Sequence, residues 1–116
     1  MHEMLIVENV VELVLKQAEI AKAKKVLGVK LCVGEVRDIV DELMEKCFRF
    51  VARGSIAEEA HLEMERIPLV VRCQNCGHEQ REKISHYATM QCAQCQSKSL
   101  EMVSGREFYI ERIEII

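Results

Sequence analysis

Two cysteine pairs constrain this chain more than any other feature. Cys73 and Cys76 are followed, after 15 intervening residues, by Cys92 and Cys95, a C-x2-C-x15-C-x2-C spacing. Each pair places two thiolates on one tight turn, and the arm between them lets the turns meet around a single tetrahedral ion. Zinc suits four thiolates because it needs no redox chemistry and leaves no open coordination position, which makes the site structural rather than catalytic. An iron–sulfur centre or a redox dithiol shares the same spacing. A redox enzyme, however, needs an exposed thiol of low pKa rather than four thiolates held on one ion.

The composition around the cysteines supports a stapled module. Residues 72–106 carry few large aliphatic side chains, too few to hold a core without a metal. Their charges are +5 and −3, against +11 and −16 in the rest of the chain. Zinc held by four thiolates adds about −2, which Arg72, Arg81, Lys83, Lys98 and His78 can offset. Over all 116 residues the net charge is −3, which argues against a basic nucleic-acid binder and a polybasic membrane arm. No apolar run is long enough for a transmembrane helix, and no secretory signal is visible at the start. Cytoplasmic location is the expectation, and clustered cysteines fit metal ligation there better than disulfides.

Aromatic residues make up 4% of the sequence and Trp is absent, so the core must be aliphatic. Met4, Val7, Val11, Val14, Ala18 and Ala21 recur at helical spacing, predicting a helix over 4–23. Val29, Leu31 and Val33 alternate in a strand over 26–33. Asp38 reads as the N-cap of a second amphipathic helix, 38–53, and Gly54 as its stop. A long strand from Leu62 to Val71 changes phase near Pro68. The last strand changes phase between Ile110 and Ile113. The expected fold is α+β: two helices on a three-stranded sheet made of 26–33, 61–67 and 109–116, with an inserted four-cysteine, zinc-ribbon-like module. The expected domains are 1–68 plus 107–116, and 69–106. If 61–71 and 106–116 lie side by side and antiparallel, the slips mark a neck, where strand exchange would give a homodimer.

The chain begins Met1-His2-Glu3. The Met1 amine, the following amide nitrogens and the His2 imidazole can enclose a d⁸ or d⁹ ion in a plane, the geometry Ni(II) and Cu(II) favour. MHE at the start, VKLCVGEV, FVARGSIAEEAHLEME and CQNC…CAQC, in this order, resemble the HypA/HybF family over the whole chain. These are accessory proteins for [NiFe] hydrogenase maturation. The resemblance implies a nickel metallochaperone, not an enzyme, with a nickel-binding α/β domain and a zinc domain. It implies work with the nickel-handling GTPase HypB and delivery to the hydrogenase large subunit, and in some members service to urease. Carried over by position, His2 is the side-chain nickel ligand and the Met1 amine contributes from the backbone. Glu3 tunes or supports the site. The acidic ligand of some members falls here at Val40, bracketed by Asp38 and Asp41.

Other constellations read more plainly. Cys32 and Cys47 fit free core cysteines, and His78 and His86 fit surface histidines, with donation to a thiolate or a pH-sensitive contact the functional alternatives. Glu58, Glu59, Glu63 and Glu65 fit a solvated face, and there is no Gly-rich phosphate loop. The competing function is a zinc-ribbon adaptor for nucleic acid or a transcription complex. Against it stand the acidic total and the lack of aromatics among the module's basic residues.

Overall fold

The computed structural model describes residues 2–116, with the His2 side chain outside the described set. The Met1 amine and the His2 imidazole therefore lie outside the described residues.

Helix α1 spans His2–Ile20 and buries Val7, Val10, Val11, Val14 and Ala18 on one stripe. It ends in a Schellman turn: Ala23 N–H donates to the Ala18 carbonyl at 2.9 Å and Lys22 N–H to Glu19 at 3.0 Å. Lys22 takes the left-handed conformation there (φ 55°), a position glycine usually fills. Strand β1 (Val26–Gly34) follows, then α2 (Asp41–Val51), which buries Met44, Cys47 and Phe48. The cap of α2 is Val40, in an extended conformation and without a side-chain cap bond, and not Asp38 as the sequence suggests. Val40 is held in place by its own N–H, which donates to a side chain of α1 described below.

The sequence expectation of one long strand across Pro68 resolves into two strands in different sheets. β2 (His61–Ile67) joins the first sheet, and β3 (Leu69–Cys73) begins the second. Pro68, lacking an N–H, stands between them where no ladder needs one. The remaining elements are β4 (Glu79–Glu82), a 3-10 turn (Ile84–Thr89), β5 (Leu100–Ser104) and β6 (Phe108–Ile115). In β6, Phe108 and Ile110 are half-buried, then Ile113, so the alternation slips at Glu111–Arg112 as the sequence indicates.

The first sheet has the order β2-β1-β6. Lys25 exchanges backbone bonds with Ile116 while Lys30 reaches Glu111, so β6 runs antiparallel to β1. Gly28 lies against the His61 carbonyl and Lys30 reaches Glu63 and Glu65, so β2 runs parallel to β1. A parallel pair needs a crossover, and α2 supplies it. This corrects the expected pairing of 61–71 with 106–116: β1 lies between β2 and β6, and β3 pairs with β4 and β5 instead.

The chain divides into two compact units. One holds residues 1–32, 39–65 and 109–116; the other holds 33–38 and 66–108. The core of the first is aliphatic, with Val7, Val14, Val26, Leu31, Met44 and Phe48 at 1% exposure or less. The second is the three-stranded sheet β4-β3-β5, with β3 antiparallel to both neighbours. Among the described residues its buried hydrophobic side chains are Val33, Leu69, Val71, Cys73 and Cys92, so thiols make up two of the five. In the second unit, residues 33–38 are tied in by Gly34 N–H to Glu107, Val36 N–H to Gly105 and Glu35 N–H to Ile67.

Candidate metal centres

Cys73 and Cys76 flank the turn after β3, and Cys92 and Cys95 flank a turn of the same design. In both, the fourth residue after the first cysteine closes the turn: Gly77 N–H donates to Cys73 and Gln96 N–H to Cys92, each at 2.9 Å. In both it is left-handed, with φ 79° at Gly77 and 62° at Gln96. Each first cysteine also donates its own N–H beyond the turn, Cys73 to His78 and Cys92 to Ser97, both at 2.8 Å. The two knuckles are thus near-copies made from different residues.

The turns aim backbone donors at sulfur. Asn75 and Cys76 N–H both reach Cys73 Sγ at 3.4 Å, and Gln94 and Cys95 N–H reach Cys92 Sγ at 3.4 and 3.5 Å. Asn75 Nδ2 approaches Cys95 Sγ at 3.6 Å. The four sulfurs lie within 4.8 Å of one another, with Cys73–Cys95 and Cys76–Cys92 at 3.5 Å. Sulfurs about 2.3 Å from one tetrahedral ion stand about 3.8 Å apart, so this donor set fits structural zinc.

Electrostatics agree with a cation at the centre. The N–H groups of Cys76 and then Asn75 outweigh burial and bring the Cys73 thiol down to about 6. Cys92 is lowered in the same way, first by Cys95 N–H. The N–H of His78 favours the Cys76 thiolate, but contact with Cys92, burial and the other two sulfurs outweigh it and push that thiol up to about 12. Four neighbouring sulfurs cannot all be thiolates without a cation between them. It is the backbone of His78 that serves the cluster; neither its imidazole nor that of His86 makes a hydrogen bond among the described residues. Zinc here would hold the two turns together and would do no chemistry of its own.

The second candidate centre is at the start of α1. Glu3 is 7% exposed, the one buried charged side chain among the described residues. Its Oε2 accepts the Val40 N–H at 3.2 Å, placing the carboxylate at the amino end of α2. The residue at the position the resemblance singles out therefore meets Glu3 through its backbone. Asp41 is the first residue of α2, and Asp38 lies in the preceding loop; both are exposed.

Sequence reasoning missed two polar clusters. Lys30, on the central strand and 14% exposed, touches Glu111 at 3.0 Å, Glu65 at 3.1 Å and Glu63 at 4.0 Å. Glu35 accepts the Leu69 N–H at 2.9 Å and the Arg81 guanidinium at 3.2 Å, which hold its carboxyl below the usual carboxylate range. A single Lys in an otherwise apolar strand, and the Glu63, Glu65 alternation in another, were the available signals for the first; nothing local marks the second. Cys32 and Cys47 are free and buried, as expected, and Cys32 Sγ donates to Glu111 at 3.6 Å. No helix among the described residues is long and apolar enough to cross a membrane.

Comparison with known proteins places these features in a family. The family described as "Hydrogenase/urease nickel incorporation, metallochaperone, hypA" matches residues 1–115. A hydrogenase maturation factor HypA from Dehalococcoides mccartyi is 36% identical over 115 residues, covering 99% of this chain and 94% of that one. The corresponding factor from Pyrococcus horikoshii is 33% identical, covering 99% and 96%. The solution structure of the Ni metallochaperone HypA from Helicobacter pylori shares the fold, with a TM-score of 0.66 at 22% identity over 98% of this chain and 97% of that one. A second HypA solution structure superposes with a TM-score of 0.74 at 23% identity, covering 100% and 97%.

Proposed function

The chain belongs to the HypA family of hydrogenase/urease nickel-incorporation metallochaperones, and from that premise we propose that its amino terminus captures Ni(II) and releases it to a nickel enzyme under assembly. The donors are the Met1 amine, the amides that follow and the His2 imidazole, a nitrogen set suited to a planar d⁸ ion. The observation that carries the reading is the buried Glu3 carboxylate, fixed beside Val40 immediately after these donors. An anionic group there favours a divalent cation, and it ties the start of α1 to the start of α2. Asp41, one residue beyond Val40, is the acidic side chain we assign as an auxiliary ligand, with Asp38 second.

We assign nickel handling to residues 1–68 and 107–116 and zinc to 69–106. The protein acts without catalysis of its own, in the cytoplasm. Its recipient is the large subunit of a [NiFe] hydrogenase, with urease the alternative recipient, and a GTPase of the HypB type supplies the nucleotide chemistry this chain lacks. Titration calorimetry of the zinc-loaded protein with Ni(II) tests the core of this reading. His2→Ala should weaken binding by about 100-fold or more, close to 3 kcal/mol, with zinc content unchanged. Binding should also weaken toward about pH 6, because the imidazole and amine must lose protons to bind. Wild-type affinity in His2→Ala would refute the assignment.

A further inference from the structure

The second unit carries a groove that the metal chemistry does not use. It has a volume of about 440 Å³ and lies on the face of the β4-β3-β5 sheet that presents Leu69, Val71, Leu100 and Met102. The 3-10 turn overhangs it with Ile84 and Tyr87, which are 49% and 72% exposed. Met90 completes the apolar wall, and Lys98 and Arg106 stand on its rim. No zinc-cluster cysteine lines it.

The charges around this groove are not balanced. On the same sheet two arginines are paired: Arg72 holds Glu79 at 2.7 Å and Glu101 at 3.3 Å, and Arg81 holds Glu35 at 3.2 Å. Neither the Lys98 ammonium nor the Arg106 guanidinium has a carboxylate partner among the described residues. No acidic residue lines the groove. Glu82 shares its sheet face through the Leu69 register but is engaged with Gln80 at 2.6 Å. An apolar trough with two uncompensated cations is complementary to an apolar group that brings its own negative charge.

The lining suits a peptide rather than a rigid small molecule. Methionine thioethers repack around differing side chains and are favoured on adaptable binding surfaces. An exposed tyrosine offers a large flat contact with little rotamer entropy to lose, and Tyr, Met and Arg are enriched at interface centres. We propose that this groove binds a peptide segment of a partner protein in which one or two large apolar side chains are flanked by carboxylates. The apolar side chains enter between Leu100, Met102 and Tyr87, and the carboxylates meet Lys98 and Arg106 in charge-assisted bonds. The zinc unit then acts as a reader of partner sequence, separate from the nickel ligands.

Fluorescence anisotropy of the full-length, zinc-loaded protein tests this. The probes are a fluorescein-labelled Ser-Glu-Leu-Phe-Glu-Ser peptide, the same peptide with Lys for both Glu, the same with Ser for Leu and Phe, and a labelled single-stranded oligonucleotide. The acidic apolar peptide should bind at least about tenfold more tightly than any of the others. Lys98→Glu, Arg106→Glu and Tyr87→Ser should each weaken it by about tenfold. All three positions are exposed, so zinc content and circular dichroism should stay unchanged. Equal or tighter binding of the lysine peptide or the oligonucleotide would overturn the proposal. So would affinity indifferent to the three substitutions, or no peptide binding at about 1 mM protein.

Discussion

The Glu3 carboxylate and the Val40 backbone meet at 3.2 Å, so an acidic side chain from the first turn of α1 holds the cap residue of α2 by its N–H. The α2 cap residue itself offers no side-chain oxygen, and its own N–H is taken by Glu3 from 37 residues away. Glu3→Ala removes that acceptor and leaves the N–H of the cap residue Val40 without this partner. The expected cost is about 0.5–2 kcal/mol, read as a lower urea midpoint at unchanged slope. Glu3→Gln keeps an oxygen acceptor but not the charge, and should lose less stability than Glu3→Ala while weakening Ni(II) binding. A Glu3→Ala protein as stable as wild type would show that the cap carries no weight.

The zinc site should be an all-or-none staple for residues 69–106. Replacing any one of the four cysteines by Ser should release zinc and collapse the amide dispersion of that segment, since structural zinc contributes on the order of 10 kcal/mol of apparent folding energy in small modules. Helical circular dichroism should persist, because α1 and α2 pack around an aliphatic core of their own. Loss of helix signal in step with zinc loss would show that the two units fold as one.

Lys30 sets a pH dependence whose sign is fixed by its neighbours. Glu111, hydrogen-bonded first by Lys30, is held below the usual carboxylate range, and Lys30, bonded first by Glu111 and then Glu65, is held above its usual 10.5. The carboxylate contribution is complete above the ordinary carboxylate value and is lost as pH falls through the depressed one. The ammonium contribution is complete below 10.5 and lost only as pH rises past it. Lys30→Met should therefore melt lower than wild type near neutral pH, leaving three carboxylates facing each other. The difference should shrink as pH falls below the carboxylate range. A difference that grew in acid would contradict the ion cluster.

Backbone geometry predicts one loss and one gain. A Cβ on Gly34 would run into the Gly105 carbonyl, and both partners are backbone, so Gly34→Ala should cost about 3 kcal/mol or more. Lys22 occupies a left-handed helix end at φ 55° that suits glycine, so Lys22→Gly should raise stability by about 0.5–1 kcal/mol. Thermal melts of the two variants should move in opposite directions.

The parts of this molecule written in local patterns are readable from sequence. The α1 stripe from Val7 to Ala18, the strand through Val29, Leu31 and Val33, and the two cysteine turns follow from period and spacing alone. Pro68 marks the place where the pattern slips, yet whether a slip bends one strand or separates two depends on which neighbours pair, and that is a long-range fact. The insertion of β1 between β2 and β6 is hidden for the same reason. Asp38 is the better cap by composition, but Val40 takes the place, its N–H bonded to Glu3 from 37 residues away. The knuckle at Gly77 announces its left-handed residue, whereas Gln96 does the same work without a glycine to mark it. The thiolate-directed N–H groups of Asn75, Cys76, Gln94 and Cys95 carry no side-chain signature at all.

The central claim is that Ni(II) is held by the free amino terminus, and lengthening that terminus tests it most directly. The measurement is a Ni(II) titration of the zinc-loaded protein beginning at Met1, beside the same protein with Gly-Ser added before Met1. The extension converts the terminal amine into an amide and moves the new amine two residues farther from His2, while leaving Glu3, Val40 and the zinc cluster in place. The account predicts tight one-to-one binding to the first protein and a loss of about 100-fold or more in the second, with equal zinc content in both. Equal nickel affinity with and without the extension would contradict it.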